Sequence, residues 1–288
     1  MKNFQRISGL KSVIKISFFL LLFSSSFYCY SQGKIDKSKE DIKKGSQSEN
    51  RNIKKSKSSS SFTTDGSIES VIVRVIAEAF MYVTYYTAIG NYQIEKHLHS
   101  NLTDYPYYNN SSGNYESTDA VLAPTKRLRI DLENNILYSN DYLFGNHLKA
   151  KIRPFQYFYL QTDFLALKEF DKVDDNYSNI SLFNINLCYD RIRLEKFNLG
   201  WVLGMNYMGN DVKKAGFSYG LNTDIFIVNN VSLYSSMKWS LINSVAVNEF
   251  EILCKFHSKN YFFSAGYEHL KIGTPTYDFI SLGGGIYF

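Results

Sequence analysis

From residue 126 to the end of the chain, apolar and polar residues alternate with a period of two. That repeat sends successive side chains to opposite faces of a β-strand. The alternation resolves into ten segments: 127–139, 146–153, 156–168, 179–193, 197–208, 216–228, 231–242, 245–257, 261–272 and 277–288. If two of them are not strands, the count is eight. One face carries Leu128, Ile130 and Leu132, then Leu148, Ala150 and Ile152, then Phe183, Ile185 and Leu187. Leu199, Trp201, Leu203 and Met205 continue it, followed by Phe250, Ile252, Cys254 and Phe256. The other face opens with Arg127, Arg129, Asp131 and Glu133, then His147, Lys149, Lys151 and Arg153. It goes on through Asp163, Asp224, Lys238, Glu249, Glu251, Lys255 and Glu268. The first two segments are mainly basic on this face, the eighth and ninth mainly acidic.

The links between segments alternate as well. Residues 153–155, 194–196, 229–230 and 258–260 are tight. Residues 140–145, 171–178, 209–215 and 273–276 are longer or more polar, and 243–244 is the short exception. Short turns on one side and longer loops on the other are the habit of bacterial membrane barrels. The pattern therefore predicts an all-β fold, a membrane-spanning antiparallel up-and-down barrel of about ten strands over 127–288. Charged side chains facing lipid would cost about 2–4 kcal/mol per Lys or Arg at the midplane, so the charged face must point inward. A small barrel's interior is filled by its own side chains. Opposite charges there most simply pair into a plug, since buried ions are tolerated only when paired. A narrow pore lined by the same residues is the alternative.

Upstream of residue 127 the pattern changes three times. In 67–90, Ile68, Val71, Ile72, Val75, Ile76, Ala79, Phe80 and Val83 recur at spacings of three and four, which predicts an amphipathic helix. It would be about 36 Å long at about 1.5 Å per residue. The pair Arg74 and Glu78 near its middle argues against a membrane span. Residues 32–66 are rich in Lys and Ser with almost no aromatics, a composition that predicts a flexible leader. Residues 91–126 are polar and turn-rich and read as an irregular connector. Within it Glu95, His97 and His99 alternate, but no fourth ligand or zinc spacing accompanies them. At the amino terminus, Lys2, Arg6, Lys11 and Lys15 precede a short apolar run, 16–23, and small residues follow. This predicts a signal peptide over 1–31. A lipoprotein reading at Cys29 conflicts with the bulky Tyr28 before it.

Composition fits this outline. Tyr (23) and Phe (22) are abundant and Pro (4) is scarce, which suits strands and aromatic girdles. The net charge of +5 comes largely from the amino-terminal segments, so no folded basic face for nucleic acid is indicated. After the signal, Cys188 and Cys254 fall on separate strands, and a disulfide is not indicated. Gly283, Gly284 and Gly285 lie inside a strand segment and not in a nucleotide-binding loop.

The last segment, TYDFISLGGGIYF, is an amphipathic strand that ends on the aromatic Phe288. With the barrel-like alternation before it, this resembles the small Gram-negative outer-membrane β-barrel proteins, broadly the OmpX-like and OmpA-like porin families. The resemblance implies an outer-membrane location and a periplasmic position for Phe288. It also implies that Phe288 is part of the signal read by the barrel insertion machinery. The expected surroundings are outer-membrane lipid and lipopolysaccharide, with no nucleic acid and no cofactor. No catalytic motif is carried over. Omptin-like proteases use acids and a His at the outer rim, and here His269, Asp278, Asp211, Asp174 and Asp175 lie near that level. The lipid A palmitoyltransferase has a helix before its barrel, as 67–90 suggests here. Lipid A deacylases and outer-membrane phospholipases pair His with Ser, but His257 and Ser258 are adjacent on a strand and point apart. The expected function is a structural or interaction barrel with a charge-filled lumen and no identifiable catalytic or metal site. A narrow pore and a lipid-modifying or omptin-like enzyme are the alternatives.

Overall fold

The computed structural model describes residues 33–45, 100–108, 111–116, 128–140, 142–154, 157–171 and 176–288. The expected signal peptide (1–31), the expected helix (67–90), Arg127, His97 and His99 lie outside them.

Ten strands follow one another around a closed antiparallel barrel. They are β3 (Arg129–Asn140), β4 (Leu143–Arg153), β5 (Phe158–Asp171), β6 (Asn176–Arg193), β7 (Phe197–Met208), β8 (Lys214–Val228), β9 (Val231–Ile242), β10 (Val245–Ser258), β11 (Tyr261–Ile272) and β12 (Thr276–Tyr287). The barrel closes where β12 pairs with β3, with Ile286 opposite Leu132 and Leu282 opposite Ile136. Phe288 extends this seam. Its N–H donates to the carbonyl of Ile130 (2.9 Å) and its carbonyl accepts from the Ile130 N–H (3.0 Å). No edge of the barrel sheet is left open, which is the condition for a sheet to stand in hydrocarbon.

A strand of 12 residues such as β7 measures about 40 Å at about 3.3 Å per residue and rises about 30 Å at the usual barrel tilt. That rise matches a bilayer's hydrocarbon core. The exterior fits the same medium. Leu132, Ile136, Leu148, Leu187, Leu203 and Leu282 all project outward. Tyr138, Phe144, Tyr207 and Phe217 stand near one end of the strands, and Phe158, Tyr261 and Phe263 near the other. Apolar side chains in the middle with aromatics at both rims are what a bilayer-spanning barrel presents to lipid.

The end holding Phe288 is called the near end, and the opposite rim the far end. Turns at the near end are short, with Asn230 and Lys259 in the left-handed region (φ 67° and 54°). At the far end, β9 and β10 are joined by Asn243 and Ser244 alone. Both have positive φ (50° and 66°), the geometry of a two-residue hairpin whose twist matches its strands. Residues 140–145, expected to form one of the longer links, are mostly strand, since β3 ends at Asn140 and β4 begins at Leu143.

Two further corrections concern the segments before the barrel. Part of the expected flexible leader is ordered as helix α1 (Lys34–Lys44). Part of the expected irregular connector forms a small hairpin, β1 (Asn101–Leu102) with β2 (Tyr115–Glu116). They occupy opposite mouths of the barrel. Ile35, Ser38, Lys39 and Ile42 recur at i, i+3, i+4 and i+7 and form the buried face of α1. Ile35 and Ile42 pack into an apolar layer lining the far third of the lumen, which includes Leu137, Leu167, Leu182, Met208, Leu270 and Phe279.

The ends of α1 are satisfied by the barrel. Its amino terminus carries no side-chain cap of its own. Instead the carboxylate of Glu169, at the far end of β5, accepts from the N–H groups of Ile35 (2.8 Å) and Lys34 (3.4 Å). A carboxylate there meets both the orphan donors and the positive end of the helix dipole. Near the carboxyl end, Asn243 Nδ2 donates to the carbonyl of Ile42 (2.7 Å), and Asp41 accepts from the N–H of Thr274 (3.0 Å). Along the side, Ser38 Oγ and Tyr277 OH are 2.6 Å apart, and Lys39 pairs with Asp211 (3.2 Å).

Two measurements check this architecture. Ile42→Asp removes the apolar contact that seats α1. Trypsin is then expected to cut after Lys37, Lys43 or Lys44 at a rate at which wild-type α1 is protected, while the barrel stays intact. At the seam, a Cβ on Gly285 would lie 2.2 Å from the Leu132 carbonyl and 2.5 Å from the Phe262 ring. Gly285→Val is therefore expected to abolish the folded, heat-modifiable band on gels.

Candidate functional site

The lumen gathers most of the polar chemistry of the described barrel, and it is layered. At the near mouth the β1–β2 hairpin enters between strand ends. Tyr115, fully buried, donates its hydroxyl to Asp190 Oδ2 (2.6 Å). Arg129 reaches the Thr103 carbonyl (3.2 Å) and Asn114 Oδ1 (2.9 Å), and grips Asp131 through Nε (2.8 Å) and Nη2 (3.0 Å). Tyr107 OH lies 2.9 and 2.7 Å from the carbonyl oxygens of Val228 and Val231. Burial pushes this phenol up to about 12, so it stays a neutral donor.

Above the hairpin, Arg153 bonds Asp190 (2.8 Å) and stacks over the Tyr159 ring at 3.8 Å. Lys151 sits over Tyr234 at 4.3 Å, and Lys255 faces the same ring at 4.7 Å. Asp224, half-buried, accepts from Asn114 Nδ2 (3.2 Å). Arg and Lys over aromatic faces in a desolvated space gain cation–π attraction besides their ion pairs.

The middle layer is a chain of ion pairs across the lumen. Lys255 bonds Glu133 (2.5 Å), which also receives Lys149 (3.3 Å), and Lys149 in turn bonds Glu251. Across the barrel Lys238 bridges Asp163 (2.8 Å) and Glu249 (2.7 Å). Asn184 and Asn206 donate to Glu249, and Gln161 donates to Asp163. Toward the far end, His147 Nδ1 lies 2.7 Å from Glu268, which also accepts from Ser281 Oγ (2.8 Å). Above that lie the apolar layer and α1, at the far mouth. At the rim, outside the bilayer span, the hydrogen bond and charge of Lys39 hold the Asp211 carboxyl below the usual carboxylate range.

Of the residues singled out in the sequence, Arg129, Asp131, Glu133, Lys149, Lys151, Arg153, Asp163, Lys238, Glu251, Lys255 and Glu268 are buried in this lumen. Asp224 and Glu249 are half-buried against it. Phe288 stays exposed (63%) beside its seam partner Ile130.

Other participants did not emerge from the sequence. Tyr115 lies in a segment with no alternation to orient it. Asp190 has the same parity as Asn186 and Cys188, so period two alone points it inward. Arg191 and Arg193 are different. The register slips between Asp190 and Ile192 in the β6–β7 pairing, and Asp190, Arg191 and Arg193 are all buried. Strict alternation cannot bury two consecutive residues on one face, and the bulge is the reason.

The enzyme candidates separate. His257 is buried at the near end, with Nε2 2.7 Å from Ser232 Oγ on β9 and Nδ1 3.3 Å from Tyr287 OH. Its partner is thus a serine on the neighbouring strand and not the adjacent Ser258. His269 faces outward near the far rim, where Asp278 Oδ1 lies 2.6 Å from its Nδ1 and 2.5 Å from Tyr267 OH. Asp211 is occupied by α1.

Among the known structures that resemble the chain are outer-membrane proteins. No family model and no curated protein matches the sequence. The outer membrane protein Ail of Yersinia pestis, in a phospholipid bilayer nanodisc, is 12% identical with a TM-score of 0.33. That overlap covers 56% of this chain and all of Ail. The KdgM porin in complex with disordered oligogalacturonate is 9% identical with a TM-score of 0.33, over 56% of this chain and 99% of that one. An outer membrane channel from Pseudomonas putida F1 is 10% identical with a TM-score of 0.32, over 59% of this chain and all of the channel.

Lys238 provides a direct test of the ion-paired middle. Lys238→Met leaves Asp163 and Glu249 buried without their cation. It should cost about 3–5 kcal/mol in urea unfolding from detergent or lipid. Adding Asp163→Asn and Glu249→Gln to the same chain should recover most of that loss, because no uncompensated charge then remains.

Proposed function

We propose that this protein is an outer-membrane barrel of structural or interaction type whose lumen is held closed by its own chain. The observation that carries the reading is the stack inside the barrel. The β1–β2 hairpin lies at the near mouth, ion pairs from Arg129 to Glu268 follow, and α1 sits over an apolar layer at the far mouth. A solute would have to undo several buried ion pairs to pass, and each is expensive to break singly. In an outer membrane, the apolar belt would meet lipid and lipopolysaccharide, and the strand ending in Phe288 would be read by the insertion machinery. The far loops and the solvent side of α1 would then face the cell exterior.

The narrow-pore reading differs in one measurable respect. Purified, folded protein in planar bilayers is expected to give no steady conductance. Steady, ion-selective current from it would overturn the closed reading in favour of a channel. The lipid-modifying reading is supported by the outward group of Tyr267, Asp278 and His269, which stands at the level of the far aromatic rim. Hydrolase or acyltransferase activity on lipid A or phospholipid, lost in His269→Gln, would favour it.

A further inference from the structure

The far half of the ion-pair network is short of positive charge. Among the described residues, the carboxylates of Asp163, Glu249, Glu251 and Glu268 share the ammonium groups of Lys238 and Lys149, and Lys149 also serves Glu133 beside Lys255. His147 is the remaining basic group, and its Nδ1 already faces Glu268. Its Nε2 is buried and has no hydrogen-bond partner, although the residue is only 5% exposed. A buried imidazole with one nitrogen unpartnered and the other against a carboxylate is incompletely satisfied, and Nδ1, which faces Glu268, is the nitrogen that a cation shared with the carboxylates would take.

The geometry points to a divalent metal site formed by His147, Glu251 and Glu268 inside the lumen. One ligand atom from each lies within 4.8 Å of the other two. All three residues line a single cavity between the ion pairs and the apolar layer beneath α1. Ligands on zinc at about 2.0–2.1 Å stand about 3.3 Å apart, so small side-chain rotations complete the contact. One nitrogen with two carboxylate oxygens suits Zn²⁺, with water or Glu249, which lines the same cavity, in the remaining position. Lys149 now holds Glu251, and its second partner Glu133, 3.3 Å away, keeps it paired when Glu251 turns to the metal. Such an ion would tie β4, β10 and β11 together across the lumen.

The site is enclosed, so the ion is supplied during folding. The full chain is refolded from urea into detergent with Zn²⁺, then passed over a chelating resin, and retained metal is counted in the heat-modifiable fraction. The expected result is one Zn²⁺ per barrel, retained in His269→Gln and in the double substitution of His97 and His99. His147→Gln and Glu251→Gln should bind about tenfold more weakly or worse. No retained metal in the wild type overturns the proposal. So does metal that survives His147→Gln, or metal lost in His269→Gln.

If the His147 and Glu251 variants fail to fold, Cu²⁺-loaded wild type and His269→Gln give the answer by pulsed electron resonance, which counts bound imidazoles. One imidazole in both proteins supports the site. None or two in the wild type, or none in His269→Gln, overturns it.

Discussion

The hydrogen-bonded seam between β12 and β3 is the contact on which the rest of this structure depends. In hydrocarbon an unpaired backbone group has no water to fall back on, so an open sheet of these ten strands could not stand there. Closing the sheet through pairs such as Leu282 with Ile136, extended by Phe288 with Ile130, removes the last edge. Closure also makes an inside. Once the outward row is committed to lipid, every alternate side chain is confined to a narrow space with its neighbours. The seam itself needs room. Gly285 leaves that room for the ring of Phe262, which lies against Lys255 and Tyr287.

That confinement explains why the lumen is ion-paired. Charged residues excluded from the lipid face arrive inside together, and each must find a partner there. The solution is a set of shared contacts. Lys149 bridges Glu133 and Glu251, Lys238 bridges Asp163 and Glu249, and Arg129 holds Asp131 and the hairpin at once. Tyr234 and Tyr159 fill the gaps as faces for Lys151, Lys255 and Arg153. The interior changes character toward the far rim, where Leu137, Leu167 and Leu270 point inward. An apolar mouth cannot be left to water, and α1 covers it. The helix belongs to the barrel as much as to its own sequence, because Glu169 and Asn243 supply the partners for its ends.

Local alternation was enough to read the strands. Segments such as 197–208, 231–242 and 261–272 coincide with β7, β9 and β11, because a side-chain period of two is a property of neighbouring residues. The same parity places Asp131, Glu133, Lys149, Lys151 and Lys255 on one face. The inward apolar residues near the far end, such as Leu137, Leu165, Leu167 and Leu270, follow the same parity but carry no meaning until something sits over them. α1 is not legible in the sequence because its buried face holds only two apolar residues, Ile35 and Ile42, set among charged residues and one serine. Its stability comes from a surface more than a hundred residues away in sequence.

The amino-acid sequence by itself determined a chain of ten amphipathic strands, the residues that meet lipid, and a terminal strand able to close on the first. These follow from local periodicity and from the cost of charge in hydrocarbon. Only the tertiary structure decided which acid meets which base, since those partners lie far apart in sequence: 122 residues for Lys255 and Glu133, and 172 for Lys39 and Asp211. It alone decided that Arg191 is buried, because a bulge depends on the register of two strands. It alone set α1 and the β1–β2 hairpin in the two mouths, because those elements are stabilised by surfaces that exist only once the barrel has closed.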